Sequence, residues 1–152
     1  MTLQELIIAL QQKFPGLLLQ ASDSFFWSPA EKTVHYDNNA KTKEGLWSLL
    51  HETGHALLNH VQYYSDVELV QMEVAAWEKA REIGEDLAIE IDEDHIQDCL
   101  DSYRDWLYKR SLCPDCYLSG VQIAERIYVC IFCQRKWQVS TERFCRPYRK
   151  TI

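Results

Sequence analysis

The segment of the 152-residue sequence with the clearest chemical potential is His51-Glu52-Thr53-Gly54-His55. In a helix of 3.6 residues per turn, His51 and His55 project from nearly the same side, because four residues advance the helix by about 400°. Two imidazoles one turn apart can bind a single Zn²⁺ at about 2.0–2.1 Å. Glu52 lies beside this pair, where it can accept a proton from zinc-bound water, whose pKa falls to about 7. The spacing predicts a catalytic zinc site with Glu52 as general base; two core histidines are the alternative.

A catalytic zinc needs a third protein ligand and an open fourth position. Glu73 is our candidate, because it shares a helical face with the apolar Leu69 and Trp77. A carboxylate on such a face is unfavourable unless it is paired or bound to a metal. An antiparallel helix would return it to the two histidines. Glu68 is the weaker rival, since a capping box already explains it. An interior salt bridge or a solvated position is the other interpretation of Glu73.

The remaining histidines have weaker spacing arguments. His60 lies five residues after His55, about 140° around a continuous helix, so it can share that metal only where the helix is broken. We interpret His60 as a helix-end histidine, with contact to a ligand or to substrate as alternatives, and we interpret His35 and His95 as structural. The candidate donors to a developing oxyanion are His60, Tyr36, Tyr63 and Tyr64.

Two C-x-x-C pairs predict a second metal site. Cys113 and Cys116 are separated from Cys130 and Cys133 by 13 residues. Two tight turns can direct four thiolates at one ion, so we expect a structural zinc held by all four cysteines, with a redox pair or disulfides as alternatives. A closed shell leaves no position for substrate. Its expected role is to stabilise a segment of about 40 residues that is too small to fold otherwise.

Composition indicates the class of protein, and the distribution of charge indicates a boundary between two modules. Apolar residues make up 47% and charged residues 26%, which excludes a disordered tail, a collagen-like chain and a coiled-coil rod. Residues 1–110 carry a net charge of −11 and residues 111–152 a net charge of +4, which predicts a boundary near Ser111. No stretch approaches the ~18 apolar residues of a membrane span, and the N-terminus lacks a secretory pattern. We therefore expect a cytoplasmic protein with reduced cysteines.

The elements that position these residues follow from periodicity and capping. The sequence predicts helices from Leu3 to Pro15, over residues 43–61, from Ser65 to a stop at Gly84, and over residues 92–110. Short runs at residues 17–20, 25–27 and 33–36 predict a small antiparallel sheet, and residues 33–36 are our candidate edge for an extended substrate. Short strands are expected within residues 117–139. The predicted fold class is α+β.

The run SLLHETGHALLNH, followed by Glu73 and Ala76, resembles the ImmA/IrrE family of zinc metallopeptidases. The resemblance covers roughly residues 47–77. It implies a small zincin-like helical domain with a short antiparallel sheet over residues 1–110. The cysteine pairs and the change in charge, rather than the resemblance, predict that a zinc-ribbon-like module with a basic tail follows over residues 111–152. The resemblance also implies a gluzincin-like peptidase with Glu52 as general base and three ligands, which are His51, His55 and Glu73.

Substrate and partners follow from the same resemblance. Family members cleave helix-turn-helix repressors, so a protein substrate, such as a transcriptional repressor, is expected. Thr53 replaces the usual aliphatic residue, Asn59 stands where a histidine often precedes His60, and the cysteine module is not a standard family part.

Two other functions stay open. An SprT-like, DNA-associated protease also joins an HExxH helix to a zinc ribbon, and a non-catalytic zinc-stabilised adaptor would keep the motif without turnover. The basic tail is a candidate contact surface for nucleic acid or for an acidic protein. The alternative interpretation is that the tail is an ordinary solvated surface. That tail consists of Arg143, Arg146, Arg149 and Lys150, interleaved with Phe144 and Tyr148. Cys99 is interpreted as a buried small hydrophobe and Cys145 as a spare thiol or substitute ligand.

Overall fold

The computed structural model describes residues 1–143 and 146–152, so Phe144 and Cys145 of the predicted tail lie outside the described residues. Across those ranges the chain is α+β. The helices are α1 (Leu3–Lys13), α2 (Lys43–Leu57), α3 (Asp66–Asp86) and α4 (Glu93–Ser111). The strands are β1 (Leu18–Ser22), β2 (Phe26–Ser28), β3 (Thr33–Asp37), β4 (Val121–Ala124), β5 (Ile127–Val129), β6 (Lys136–Val139) and β7 (Arg149–Thr151). Among the described residues, no helix has the length and apolar character that a bilayer crossing requires.

The chain divides into two compact units. The first consists of Met1–Val61 and Met72–Ile96, and the second of Gln62–Gln71 and Gln97–Ile152. This division passes through α3 and α4 and therefore differs from the boundary that the charge pattern predicts near Ser111. The assignment of a catalytic domain to residues 1–110 and a ribbon to residues 111–152 stays a prediction.

The first unit begins with a helix whose start follows the sequence directly. Thr2 accepts a hydrogen bond from the backbone N–H of Glu5, and Glu5 accepts one from the backbone N–H of Thr2, which is the reciprocal pattern of a capping box. The helix α1 buries one face through Leu6, Ile7 and Leu10. This helix ends before Pro15, as predicted.

The sheet of the first unit is mixed, with strand order β1-β3-β2. β2 is antiparallel to β3, but β1 is parallel to it, so the prediction of a wholly antiparallel sheet is wrong for β1. The predicted edge at residues 33–36 is also wrong, because β3 is the central strand and its Thr33, Val34 and His35 are buried. β2 forms the antiparallel hairpin with β3, so β1 pairs with the opposite side of β3, where it runs in the same direction as β3.

The helix α2 packs against β2 and β3 and ends earlier than predicted. Asn59 adopts a left-handed conformation with φ 52°. The backbone N–H of Asn59 donates to the carbonyl of Ala56 (3.1 Å), and the N–H of His60 donates to the carbonyl of His55 (3.1 Å). This pair of bonds is a Schellman motif, in which Asn substitutes for the usual Gly. The turn ends the helix at Leu57 rather than at residue 61.

The second unit contains a four-stranded antiparallel sheet in the order β4-β5-β6-β7. Its core is a cluster of Tyr128, Trp137 and Val139 with the two cysteines Cys113 and Cys130. The first three strands lie where the sequence predicted short strands, and β7 lies beyond that segment. The indole N–H of Trp137 donates to the carbonyl of Arg110 at 3.0 Å, which connects the core of this sheet to the last turn of α4.

Candidate metal centres

The helix α2 places the two predicted zinc ligands side by side. The Nε2 atoms of His51 and His55 lie 3.1 Å apart, and both side chains are buried. Their rings meet edge to face with centroids 4.6 Å apart. The 3.6-residue repeat of the helix produces this arrangement, as the spacing predicted.

The helix α3 brings Glu73 to the same point. Its Oε2 atom lies 3.2 Å from Nε2 of His51, and its Oε1 atom lies 3.6 Å from Nε2 of His55. Close approach of the two helices depends on Gly54, since a Cβ atom there would lie 2.5 Å from the carbonyl oxygen of Ala76. The missing side chain therefore allows the backbone of α3 to approach α2 closely.

Glu68, the other candidate for the third ligand, caps a helix instead. Glu68 accepts hydrogen bonds from the backbone N–H groups of Ser65 (3.0 Å) and Tyr64 (2.6 Å). The Ser65 hydroxyl in return accepts a bond from the N–H of Glu68 at 3.2 Å. The predicted capping box is confirmed, and the Glu68 carboxylate is already used in its hydrogen bonds.

The three donors of this first cluster fit a tetrahedral ion. Ligands at about 2.0–2.1 Å from a tetrahedral centre are about 3.3–3.4 Å from one another. The two imidazole nitrogens are 3.1 Å apart, and they lie 3.2 and 3.6 Å from the two different oxygens of the Glu73 carboxylate, distances close to that value. Within the described part of the chain, Glu73 Oε2 is buried without a hydrogen-bond partner, and a coordinated cation would satisfy it instead.

The electrostatics keep Glu73 ionised. Burial acts to raise the pKa of this carboxyl, but the adjacent imidazoles of His51 and His55 outweigh it and lower the pKa from 4.5 to about 2. The carboxylate is therefore the form present near neutral pH, as a metal ligand must be.

The predicted general base stands outside the donor set but beside it in sequence. The Oε2 atom of Glu52 accepts a hydrogen bond from the backbone N–H of Trp27 at 2.8 Å. Trp27 lies on β2, an edge strand, and its backbone N–H is used here rather than in the pairing with β3. The free edge of β2 therefore faces Glu52.

His60 contacts one of the predicted ligands, an arrangement that the sequence left as an alternative to a helix-end position. Its Nδ1 atom lies 2.8 Å from Nδ1 of His55, on the side of that ring opposite the metal cluster. The Asn59 turn produces this contact by breaking the helix, and the signal for it in the sequence is an Asn at the end of the apolar run. Burial lowers the pKa of His60 from 6.5, and the neighbouring His55 lowers it further.

Other predicted residues have structural contacts. His35 stacks on Phe26, with ring centroids 4.3 Å apart, and its Nε2 lies 2.7 Å from a carboxylate oxygen of Glu31. His95 packs against the rings of Trp47 and Trp77 at 4.9 and 5.7 Å. These contacts agree with a structural interpretation of both histidines. The oxyanion donor stays a prediction.

The four cysteines form the second cluster. Distances between Sγ atoms are 3.5 Å for Cys113 to Cys133, 3.5 Å for Cys116 to Cys130 and 3.8 Å for Cys116 to Cys133. A tetrahedral site with metal–sulfur bonds of about 2.3 Å has edges of about 3.8 Å. A disulfide would need about 2.05 Å, so the cysteines are free thiols in this geometry.

The two cysteine turns have the same local geometry. The residue after each pair, Tyr117 or Gln134, has a positive φ of 60° or 62°. Its N–H donates to the carbonyl of the first cysteine of the pair, Cys113 or Cys130, at 3.0 Å. The backbone N–H of Cys133 lowers the pKa of the Cys130 thiol to about 7, which favours the thiolate that binds metal.

The remaining predicted positions lie in the second unit. Arg143 lies over the Tyr103 ring at 3.9 Å and donates to the hydroxyl of Ser102, while Arg149 donates to the carbonyl of Leu112. Two of the four basic side chains in the predicted tail therefore have interaction partners within the chain itself. Cys99 is partly exposed on α4 rather than fully buried.

Comparison of the chain with models of protein families, with curated proteins and with solved structures gives no match. The chemical assignment therefore depends on the geometry of the two clusters.

Proposed function

We propose that this protein is a zinc-dependent endopeptidase with a second, structural zinc ion. The observation that carries the proposal is the convergence of two imidazole nitrogens and one ionised carboxylate at separations of 3.1–3.6 Å. Three protein ligands of this kind leave a fourth position open, which is the arrangement of a catalytic rather than a structural zinc. The resemblance to the ImmA/IrrE family, and with it a zincin-like fold, is part of the proposal.

In this mechanism the cluster of His51, His55 and Glu73 would hold the ion, whose chemistry would be to polarise the scissile carbonyl and to lower the pKa of the attacking water. Glu52 accepts the proton of that water and passes it to the leaving amine. The Trp27 N–H bond orients the Glu52 carboxylate for this transfer.

The four cysteines would hold the second ion in a closed shell with no position for substrate. Its role would be to stabilise the sheet of the second unit. Zinc is the proposed ion at both sites, because nitrogen with carboxylate and four thiolates are both donor sets that zinc accepts. The substrate is proposed to be a protein, with a helix-turn-helix repressor as the first candidate by resemblance.

The proposal is tested with Glu52→Gln. The amide cannot accept the proton, so cleavage of fluorescently labelled casein should fall by at least 100-fold. Zinc content should stay at two ions per chain, because Glu52 is outside the donor set. Glu44→Gln, an exposed change in the first turn of the same helix, is the control and should cleave like the wild type.

Equal cleavage by the wild type and Glu52→Gln would remove Glu52 as the base. A wild-type chain that binds two zinc ions but cleaves neither casein nor repressor proteins would favour the adaptor function instead.

A further inference from the structure

The two imidazoles of the first cluster are held in different ways. The His51 ring stacks on Trp77, with centroids 4.2 Å apart and planes 27° apart, and its buried Nδ1 has no hydrogen-bond partner within the described residues. The His55 ring instead has its Nδ1 at 2.8 Å from Nδ1 of His60. The position of His55 therefore depends on one particular side chain.

The chemistry of metal binding fixes the direction of this hydrogen bond. A neutral imidazole that coordinates an ion through Nε2 carries its proton on Nδ1. His55 directs Nε2 at the cluster, so its Nδ1–H donates and the Nδ1 of His60 accepts. The proton of neutral His60 is then on its own Nε2.

The backbone holds the acceptor in place. The left-handed Asn59 directs the chain back over the end of α2, and the N–H of His60 bonds to the carbonyl of His55. The indole N–H of Trp27 donates to the carbonyl of His60 at 2.7 Å. His60 is thus fixed by one bond at its N–H, one at its carbonyl and one at its ring.

We propose that His60 is a positioning residue that orients His55 for metal binding by accepting its Nδ1–H. This inference rests on the proposed metal site, and it adds a residue that does not itself bind the ion. Outer partners of metal-bound histidines fix the tautomer and the ring orientation, and their loss typically lowers metal affinity by 10–100-fold.

The test compares His60→Asn with His60→Leu. The Oδ1 atom of Asn has the same place in the side chain as Nδ1 of His and can accept the bond, whereas Leu has the same branching without an acceptor. Zinc affinity is measured by competition with a chromophoric chelator. Co²⁺ replacement is measured in parallel, because its spectrum separates a thiolate site from a nitrogen and oxygen site.

We expect His60→Leu to bind metal at the histidine site at least 10-fold more weakly, and His60→Asn to stay within about 3-fold of the wild type. The metal affinity of the four-cysteine site should be unchanged in both His60 variants. This unchanged affinity shows that the variant chains are folded. Trp27→Phe, which keeps the backbone N–H to Glu52 but loses the indole N–H, should weaken the histidine site in the same direction. If His60→Leu does not fold, the zinc affinity of Trp27→Phe tests the proposal in its place.

An unchanged affinity in His60→Leu, or an equal loss in His60→Asn and His60→Leu, would overturn the positioning role while leaving the proposed function standing. Wild-type protein that binds one ion, at the cysteines alone, would overturn the proposed function itself.

Discussion

Glu73 is the residue on which the first cluster depends most. It comes from a different helix than the two histidines, and it is 5% exposed with a pKa of about 2. Its apolar neighbours on α3 made it a candidate in the sequence, because a carboxylate on such a face needs a partner. Its partners, His51 and His55, were predicted on the assumption that the next helix returns to α2, and the structure has this tertiary contact.

Replacement of Glu73 by Ala should reduce the zinc content from two ions per chain to one. Two imidazoles alone bind the ion too weakly to retain it through gel filtration, while the four thiolates are unaffected. Elemental analysis of the purified protein measures the ratio. Glu68→Ala removes the capping carboxylate and should keep both ions; loss of an ion from that control, or two ions in Glu73→Ala, contradicts the assignment.

Asp66 gives a prediction about pH. The hydroxyl of Tyr128 donates to its carboxylate, and Nε of Arg110 lies 3.6 Å away. Burial raises the pKa of Asp66 above 3.8, and Arg110 offsets only part of the rise. The folded state therefore binds more protons than the unfolded state between the two pKa values. The stabilisation that Asp66 contributes is complete below pH 3.8 and is lost as the pH rises through the folded pKa.

Asp66→Asn has no such proton to lose. Its free energy of unfolding, relative to that of the wild type, should therefore rise between about pH 4 and about pH 7. Urea denaturation at several pH values measures the difference, and Asp98→Asn, at an exposed position, controls for the removal of a negative charge. A difference that is constant or falls with pH would show that burial does not raise this pKa.

At the scale of elements, the contact between α2 and α3 controls the first cluster. Gly54→Ala would place a Cβ 2.5 Å from the backbone oxygen of Ala76, so the helices must separate. We expect a loss of about 1–3 kcal/mol in the free energy of unfolding, together with weaker zinc binding. Gly16→Ala has nothing within 4 Å of the added Cβ and should change neither quantity. Denaturant titration with metal analysis measures both; equal behaviour of the two variants contradicts the close-approach argument.

The elements that sequence could predict are those whose signals are local. The capping boxes at Thr2 and Ser65 mark the starts of α1 and α3, because both partners of each box lie within four residues. The parallel pairing of β1 with β3 is not local, since a strand pattern does not specify the direction of its partner. The end of α2 was missed because Asn in a helix pattern is only a weak stop signal, so the contact of His60 with His55 was predicted only as an alternative.

At the scale of the molecule, the four-cysteine site should stabilise the whole sheet of the second unit. Two of its thiols belong to the buried cluster that contains Trp137. Cys133 is exposed, so Cys133→Ser removes a ligand with little loss of packing. Because structural zinc contributes on the order of 10 kcal/mol, we expect the variant to lose one zinc ion and the protection of amides in β5 and β6.

Hydrogen exchange followed by mass spectrometry measures this protection. Cys99→Ser, which changes a thiol outside the cluster, should keep both ions and normal exchange. Normal protection in Cys133→Ser would mean that the sheet does not depend on the metal.

The path of the chain has a consequence for biosynthesis. Residues 62–71 leave the ribosome before residues 97–152, with which they form one unit. During translation Asp66 is therefore synthesised before both of its partners. These are Gln122, which accepts the backbone N–H of Asp66 at 2.9 Å, and Tyr128, whose hydroxyl donates to its carboxylate. A premature stop codon after residue 110 would release a polypeptide in which this early segment never meets either of those partners.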